Sequence, residues 1–367
     1  MVKISKIPGL GDYGVFVDGL DLENISLDEW KSVYGKLHLK TLVTIFRNTK
    51  IDPVRFHSLT SAFGRSNAMS PYSFLKKYKQ KFDPNLPIEI ARQQMWAKFT
   101  SGEIPVDAND QYWIRDMTLV TIPGVPPQVI RVSGKRNDKG ERIGIFADGE
   151  LAWHCNESGH LCFTPGVALM PIQYVEGTST DFCISTPWYE RQSESLRSEL
   201  DQLICIHQHI PGRTTPGADV REDNTTKYNF CPEINYIPLV IKSPGGIKGL
   251  HFSYSTVTGF KDMKKTDSDK LLYKINSELL MDSNVYAHQY LNNRQDILFF
   301  ENSITQHRRI GDVKDRILYR CTTSYCDLLD YQYQPYFQEE YKQKLQNLLT
   351  DVSDVIRITF PPFDPND

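Results

Sequence analysis

Two histidines and two arginines are the residues of this 367-residue chain whose types and spacing point to chemistry. His154 and His307 lie far apart, each near the end of a predicted strand, and Arg316 and Arg320 follow the second histidine on an apolar strand. Two imidazoles beside open coordination positions are typical of non-haem Fe(II) sites. A guanidinium on the inner face of a strand needs an anionic partner, and its planar fork fits a carboxylate. The four residues therefore predict an iron site that also holds a dicarboxylate.

The third protein ligand of this predicted iron site is irregular. A His-x-Asp/Glu sequence would place two ligands on one face of a strand, but the residue two after His154 is Asn156. A neutral amide is a weaker ligand for a hard divalent ion than a carboxylate. Glu157 has the carboxylate but the wrong parity for a continuous strand, so it reaches the metal only if the strand breaks near Ser158-Gly159. We expect Glu157 to supply the carboxylate, with Asn156 as the other candidate.

Other patterns in the chain carry weaker signals for a site. A cupin-like metal site formed by His154, Glu157 and His160 stays open, but it would leave both arginines without a purpose. The His207-Gln208-His209 sequence has a metal-like spacing without acidic neighbours. The glycine-rich segment 243–249 lacks the P-loop spacing, so we expect it to turn one strand into the next.

The composition excludes several classes of protein. A net charge of −3, with 24% charged and 40% hydrophobic residues, is ordinary for a globular protein and offers no basic footprint for nucleic acid. Seven cysteines without a Cys-x-x-Cys pair favour a reducing compartment over a disulfide framework. No apolar leader or long apolar run is present in the sequence. We therefore expect a cytoplasmic protein with no nucleic-acid or membrane partner; homo-oligomerisation is left open.

Local patterns predict helices around a series of strands. Ser26 and Glu29 form a capping box for a helix over 26–39, and Asp52 caps a second helix, with Pro53 in its first turn and Gly64 just past its end. Further helices are predicted at Ser193–Ile206, from Thr266 onward and at 335–349. The predicted strands are Thr41–Phe46, Gln128–Val132, Ile143–Ala147, Ala152–His154, Val167–Ile172, Asp181–Ser185, Ile237–Lys242, Gly249–Tyr254, Ile297–Glu301 and Arg316–Thr322.

The organisation of these elements predicts one domain over residues 1–367. Residues 70–140 are irregular and rich in Lys, Gln and Pro, which indicates an insertion, and the polar segment 211–227 is typical of a lid loop. No internal repeat or linker separates two cores. Two strand series around inserted helices predict a mixed α/β, mainly β fold with a β-sandwich or jelly-roll core decorated with helices.

These residues and elements, taken in order, resemble the taurine dioxygenase-like (TauD/TfdA) family of Fe(II)/2-oxoglutarate-dependent oxygenases. Segments across most of the chain carry the resemblance: Tyr13–Leu22, Leu42–Arg47, Phe56–Gly64, Gly149–His154, Thr180 with Tyr189 and Glu190, Asp296–His307 and Arg316–Arg320. The resemblance implies a double-stranded β-helix that holds iron. It also implies that 2-oxoglutarate is decarboxylated to succinate while O2 supports hydroxylation of an unactivated C–H bond of the substrate.

The resemblance also implies residue roles. His154 and His307 would bind the metal, Arg316 and Thr180 would bind the distal carboxylate of 2-oxoglutarate, and Arg320 would lie near the primary substrate or the cosubstrate. The chain departs from the family at Asn156, where the family has a carboxylate. Because relatives with a small residue at this position bind halide, halogenation stays open, and so does a non-catalytic descendant that only binds a ligand.

Overall fold

A computed structural model of the chain describes residues 1–64, 66, 101–103, 122, 124–126, 128–140, 143–146, 150–156, 158–159, 165–208 and 234–329. Most of the predicted insertion over 70–140, all of the predicted lid over 211–227 and the helix predicted at 335–349 lie outside the described residues. Glu157 and His160 lie outside them as well. Within the described ranges, no helix combines the length and apolarity that crossing a bilayer would require.

The largest element of the fold is a seven-stranded sheet. Its strands lie in the order β1 (Lys3–Lys6), β2 (Gly14–Asp18), β3 (Val43–Thr49), β14 (Gln295–Glu301), β6 (Gly166–Gln173), β16 (Ile317–Thr323) and β4 (Ile130–Ser133). The pairing is antiparallel except between β2 and β3. Strands from both ends of the chain thus meet in one sheet. The β16 strand, which lies between β6 and β4, carries Arg320.

A second, four-stranded sheet has the order β13 (Val285–Gln289), β7 (Ser179–Ile184), β15 (Thr305–Ile310) and β5 (Leu151–His154). Two smaller sheets complete the strands: β12 (Val257–Phe260), β8 (Ile204–His207) and β9 (Asn235–Pro238) in one, and the pair β10 (Val240–Lys242) and β11 (Lys248–Leu250) in the other. The four-stranded sheet is antiparallel throughout.

The seven- and four-stranded sheets pack face to face. Alternate residues of each strand point to opposite sides of its sheet, so one set of side chains fills the layer between the sheets. Phe300 of β14 meets Phe182 of β7 with ring centroids 5.1 Å apart, in the apolar layer between the sheets. Phe299, the residue before Phe300, points the other way and packs against the helices on the outer face, next to Trp30. The functional residues described below lie in the inner layer.

Helices cover the outer faces of both sheets. They are α1 (Leu27–Glu29), α2 (Lys36–Thr41), α3 (Pro53–Ser61), α4 (Ser185–Glu190), α5 (Glu194–Leu200), α6 (Lys265–Leu279) and α7 (Cys326–Leu329). A π-helical segment, Trp30–Gly35, joins α1 to α2. The two predicted helix starts are confirmed, since Ser26 accepts the Glu29 N–H and Asp52 accepts the Arg55 N–H. The predicted mixed, mainly β fold class is confirmed at this level.

Several sequence predictions of elements are wrong. The strand predicted over Gly249–Tyr254 ends at Leu250, as β11. The helix predicted over Ser193–Ile206 ends at Leu200, and the rest forms β8, because Ile204–His207 pairs with two neighbouring strands. Of the strand predicted at 143–147, the described residues show only an isolated bridge from Ile145 to Val132, followed by Phe146 at φ +52°. The strand predicted over Ile237–Lys242 is two strands, β9 and β10.

Candidate active site

His154 and His307 face each other across two neighbouring strands. The residues are direct partners in the β5–β15 pairing, so both side chains lie on the same face of the four-stranded sheet. Their ring centroids are 4.3 Å apart. The prediction that His307 lies at a strand end is wrong: it lies within β15, is only 7% exposed, and is therefore neither a surface nor a loop residue.

The protonation of both imidazoles suits a metal ligand. Nδ1 of His154 lies 2.7 Å from the carbonyl oxygen of Ala152, which can only accept, so that nitrogen carries the proton and Nε2 keeps its lone pair. A backbone carbonyl commonly fixes a metal-binding histidine in this way. Burial holds the pKa of His307 well below its usual value, and any positive charge on the neighbouring His154 or Arg320 acts in the same direction. Both rings can thus present a neutral nitrogen.

The backbone of Asn156 is held by the Asn302 side chain. Its N–H donates to Oδ1 of Asn302 at 2.8 Å, and its carbonyl accepts from Nδ2 of Asn302 at 2.9 Å. Asn302 follows β14 and is fully buried, so it ties the end of β5 to the seven-stranded sheet. Asn156 lines the same cavity as both histidines.

The part of the chain that the structure describes contains no cluster of three or more His, Cys, Asp or Glu side chains that could hold a metal ion. Glu157, the sequence candidate for a carboxylate ligand, lies outside that part. The described donors near the predicted metal position are therefore the two imidazoles and the amide of Asn156.

Arg316 is a buried cation with unsatisfied donors. Its side chain is 2% exposed, and its Nε and Nη1 have no hydrogen-bond partner among the described residues. Burial lowers the pKa of Arg316 to about 10, while Tyr290 acts in the opposite direction. A buried guanidinium with free N–H groups is costly unless an anion binds it. The arrangement is thus suited to a carboxylate ligand.

Thr180 lies on the opposite wall of the cavity from Arg316. It belongs to β7, and its Oγ1 lies 2.8 Å from the hydroxyl of Tyr290. Tyr290 is 2% exposed and close enough to Arg316 for the arginine charge to affect its pKa. A hydroxyl pair and a guanidinium thus meet at one end of the cavity.

Three further arginines lie around the cavity. Arg320 is buried beside His307, whose pKa its charge lowers. Arg309 donates to the Phe146 carbonyl at 2.7 Å, and this bond holds Phe146 in its left-handed conformation. Arg308 also borders the cavity, pairs with Asp181 at 2.7 Å and stacks over Trp153.

These residues line one cavity between the two large sheets. His154, His307 and Asn156 line it, and so do Thr180 and Arg316, which lie near each other through their shared neighbour Tyr290. Apolar residues fill the walls between them: Val132, Phe146, Leu151, Val167, Leu169, Phe300 and Leu318. Polar groups at two ends of an apolar cavity are typical of a site for a small polar ligand.

The structure brings the described candidates of the sequence analysis together: His154, Asn156, Thr180, His307, Arg316 and Arg320 line one cavity. The sequence analysis missed Asn302 and Tyr290. Asn302 lies within Asp296–His307, a segment that carries the family resemblance, so its place five residues before His307 could have marked it as a site residue. Tyr290 belongs to no motif, and only the pairing of His288 with Thr180 brings its neighbourhood to the site.

Known proteins share this architecture. A taurine dioxygenase from Burkholderia xenovorans has a TM-score of 0.57 at 16% sequence identity, with 88% of each chain covered. The solved structure of AAD-2 in complex with Mn(II) and N-oxalylglycine has a TM-score of 0.57 at 16% identity, covering 88% of this chain and 97% of that one. At such low identity these likenesses show a shared fold. No curated protein sequence matches the chain.

The family model described as "Taurine catabolism dioxygenase TauD, TfdA family" matches residues 6–322, which include every described site residue. The match confirms the family resemblance seen in the sequence. Enzymes of this kind are 2-oxoglutarate-dependent dioxygenases, with Fe(II) and O2 as the other reactants. This chain belongs to the TauD/TfdA dioxygenase family.

Proposed function

We propose that the chain is an Fe(II)- and 2-oxoglutarate-dependent oxygenase that hydroxylates an unactivated C–H bond of a small molecule. The two facing sheets would form the double-stranded β-helix core of such an enzyme. When bound, iron and 2-oxoglutarate supply the oxidation, in which O2 is consumed and 2-oxoglutarate is decarboxylated to succinate.

The observation that carries this proposal is Arg316. Its free Nε and Nη1 groups lie in the same cavity as two imidazoles that face each other. A structural salt bridge, the main alternative for a buried arginine, would satisfy those donors with an acidic side chain. No acidic residue lies among the described residues that line this cavity. A bound dicarboxylate supplies the missing acceptor and explains the burial.

The roles of the chain's own groups follow from their positions. Nε2 of His154 and the imidazole of His307 would hold iron, with the proton on the first ring kept on Nδ1 by Ala152. Arg316 and Thr180 would bind the distal carboxylate, and Arg320 would orient the cosubstrate or the primary substrate. The apolar walls, including Phe300 and Leu169, exclude water from the region between these ends.

Succinate formation tests the proposal directly. Purified chain supplied with Fe(II), O2 and 2-oxoglutarate is expected to release succinate slowly without a primary substrate and faster with one. Candidate small molecules are then screened for that increase and for a hydroxylated product. Absence of both succinate formation and 2-oxoglutarate binding in the iron-loaded protein would contradict the proposal.

The third metal ligand gives a prediction of its own. Because Asn156 lines the cavity beside both histidines, Asn156→Asp is expected to raise Fe(II) affinity by at least about tenfold. Loss of a residue that only hydrogen-bonds to a metal ligand already changes metal affinity by about tenfold or more, and a direct carboxylate ligand should have at least that effect. If Glu157 supplies the carboxylate, as the sequence predicts, Glu157→Gln lowers the affinity. Metal titration of both variants decides between the two positions. Full affinity in Glu157→Gln combined with a gain in Asn156→Asp would assign the ligand position to residue 156 and reject Glu157.

A second candidate function rests on Asn156 itself. A neutral amide in place of a carboxylate weakens a site for Fe(II), which favours a descendant that binds a ligand without oxidising it, or a site with a position left open for a halide. Against the non-catalytic alternative, the cavity keeps two facing histidines together with the buried arginine. Measured iron content with 2-oxoglutarate bound but no succinate formed would favour this alternative.

A further inference from the structure

We propose that Tyr290 is a positioning residue for the cosubstrate: its hydroxyl orients the Thr180 hydroxyl toward the distal carboxylate of 2-oxoglutarate. The inference rests on the proposed function and extends it to a residue outside every motif of the sequence. Its basis is the 2.8 Å contact between the Tyr290 and Thr180 hydroxyls at the end of the cavity that holds Arg316.

Tyr290 is anchored so that its hydroxyl cannot easily turn away. Its N–H donates to the Thr178 carbonyl at 3.1 Å, which fixes its backbone to the strand that carries Thr180. The His288 ring packs edge-on against the tyrosine ring, with centroids 5.0 Å apart. His288 is itself the direct pairing partner of Thr180 across β13 and β7. The backbone hydrogen bond and the ring contact thus hold the Tyr290 phenol next to the Thr180 hydroxyl.

Either hydroxyl can donate in this contact, and Tyr290 takes the donor role in the proposed arrangement. A threonine hydroxyl has one proton, and an anion needs that proton pointed toward it. Burial raises the pKa of Tyr290 to about 12, so the phenol keeps its own proton and can donate to Thr180 Oγ1. With Tyr290 as the donor, the Thr180 proton is free for the carboxylate. Without Tyr290, the threonine hydroxyl would have to find its orientation when the ligand binds.

The local charges favour this arrangement. Arg316 lies close enough to Tyr290 for its charge to lower the phenol pKa, against the larger effect of burial. The anion bound by Arg316 would therefore lie near both hydroxyls. A chain of donors from Tyr290 through Thr180, together with the two free N–H groups of Arg316, would surround the carboxylate with hydrogen bonds.

The test compares 2-oxoglutarate affinity in variants of the iron-loaded, oxygen-free protein by calorimetry. Tyr290→Phe is expected to weaken 2-oxoglutarate binding by about fivefold to tenfold, the size expected for one neutral hydrogen bond. The matched control is Tyr286→Phe, a tyrosine four residues earlier whose hydroxyl contacts His288 instead. We expect the control to bind 2-oxoglutarate like the unsubstituted chain, and both variants to keep their Fe(II) affinity.

A double-variant comparison separates positioning from a general structural role. Thr180→Val should weaken 2-oxoglutarate binding, Thr180→Ser should restore most of it, and Tyr290→Phe added to Thr180→Val should cause little further loss. Unchanged affinity in Tyr290→Phe would overturn the role of Tyr290, and so would losses that add fully or that extend to Fe(II). If the unsubstituted chain binds no 2-oxoglutarate, the proposed function itself fails, and this role fails with it.

Discussion

Arg316→Ala is expected to weaken 2-oxoglutarate binding by about 2–5 kcal/mol, the usual cost of truncating one partner of a buried charge pair. The reason is that the Nε and Nη1 groups of Arg316 are the free buried donors at the basic end of the cavity. Calorimetric titration of the iron-loaded protein in the absence of O2 measures the change. Arg316→Lys keeps the charge but loses the planar fork, so its 2-oxoglutarate affinity should lie between those of the unsubstituted chain and Arg316→Ala.

The stability of Arg316→Ala provides a second readout. At pH 7 the Arg316 guanidinium is charged in both the folded and the unfolded chain. Because its pKa is lowered to about 10 in the folded chain, the buried charge lowers the stability of the fold at every pH below about 10. Removing the side chain should therefore not lower the unfolding temperature of the ligand-free protein. The matched control is Arg47→Ala, which breaks a half-exposed pair with Asp18 and should leave affinity unchanged. Unaltered 2-oxoglutarate affinity in Arg316→Ala would locate the carboxylate anchor elsewhere.

His307→Ala is expected to abolish Fe(II) binding, whereas Asn156→Ala should only weaken it. An imidazole is a strong ligand for Fe(II) and a neutral amide is a poor one. Metal analysis after chelation and reconstitution measures both variants. The control is His57→Gln, since His57 is a buried histidine of α3, away from the cavity.

The control variant His57→Gln should retain iron, which would show that losing a buried histidine is not enough to empty the site. Equal and complete loss of iron in His307→Ala and Asn156→Ala would mean that Asn156 is itself a metal ligand. Retention of iron in His307→Ala would contradict the assignment of the site.

Sequence periodicity predicted the strands that are buried and apolar. The strands predicted at Val167–Ile172 and Ile297–Glu301 match β6 and β14 within two residues at each end, because both faces of these strands are covered. The same apolar pattern failed at Ser193–Ile206. Its first half is helical, but Ile204–His207 gains pairing on both edges, and tertiary pairing outweighs the local helical preference.

The strand that carries His307 was the hardest to predict for a physical reason. The β15 strand contains the polar run from Gln306 to Arg309, which has no alternation of apolar residues. Four of its six residues, Thr305, Gln306, His307 and Arg309, are buried although all four are polar, so the usual alternation of apolar and polar residues is missing. The even spacing of Arg316 and Arg320 did predict a shared face, since both line the cavity. Tyr290 could not be predicted, because only strand register brings it to Thr180.

The most direct test of the account is a crystal structure of the chain grown without O2 and soaked with Fe(II) and 2-oxoglutarate. The account predicts metal density bound by His154 and His307, a third protein ligand from residue 156 or 157, and the distal carboxylate of 2-oxoglutarate on Arg316 and Thr180. A metal bound away from the two histidines would contradict the account, and so would a cosubstrate carboxylate that leaves the Arg316 donors unsatisfied.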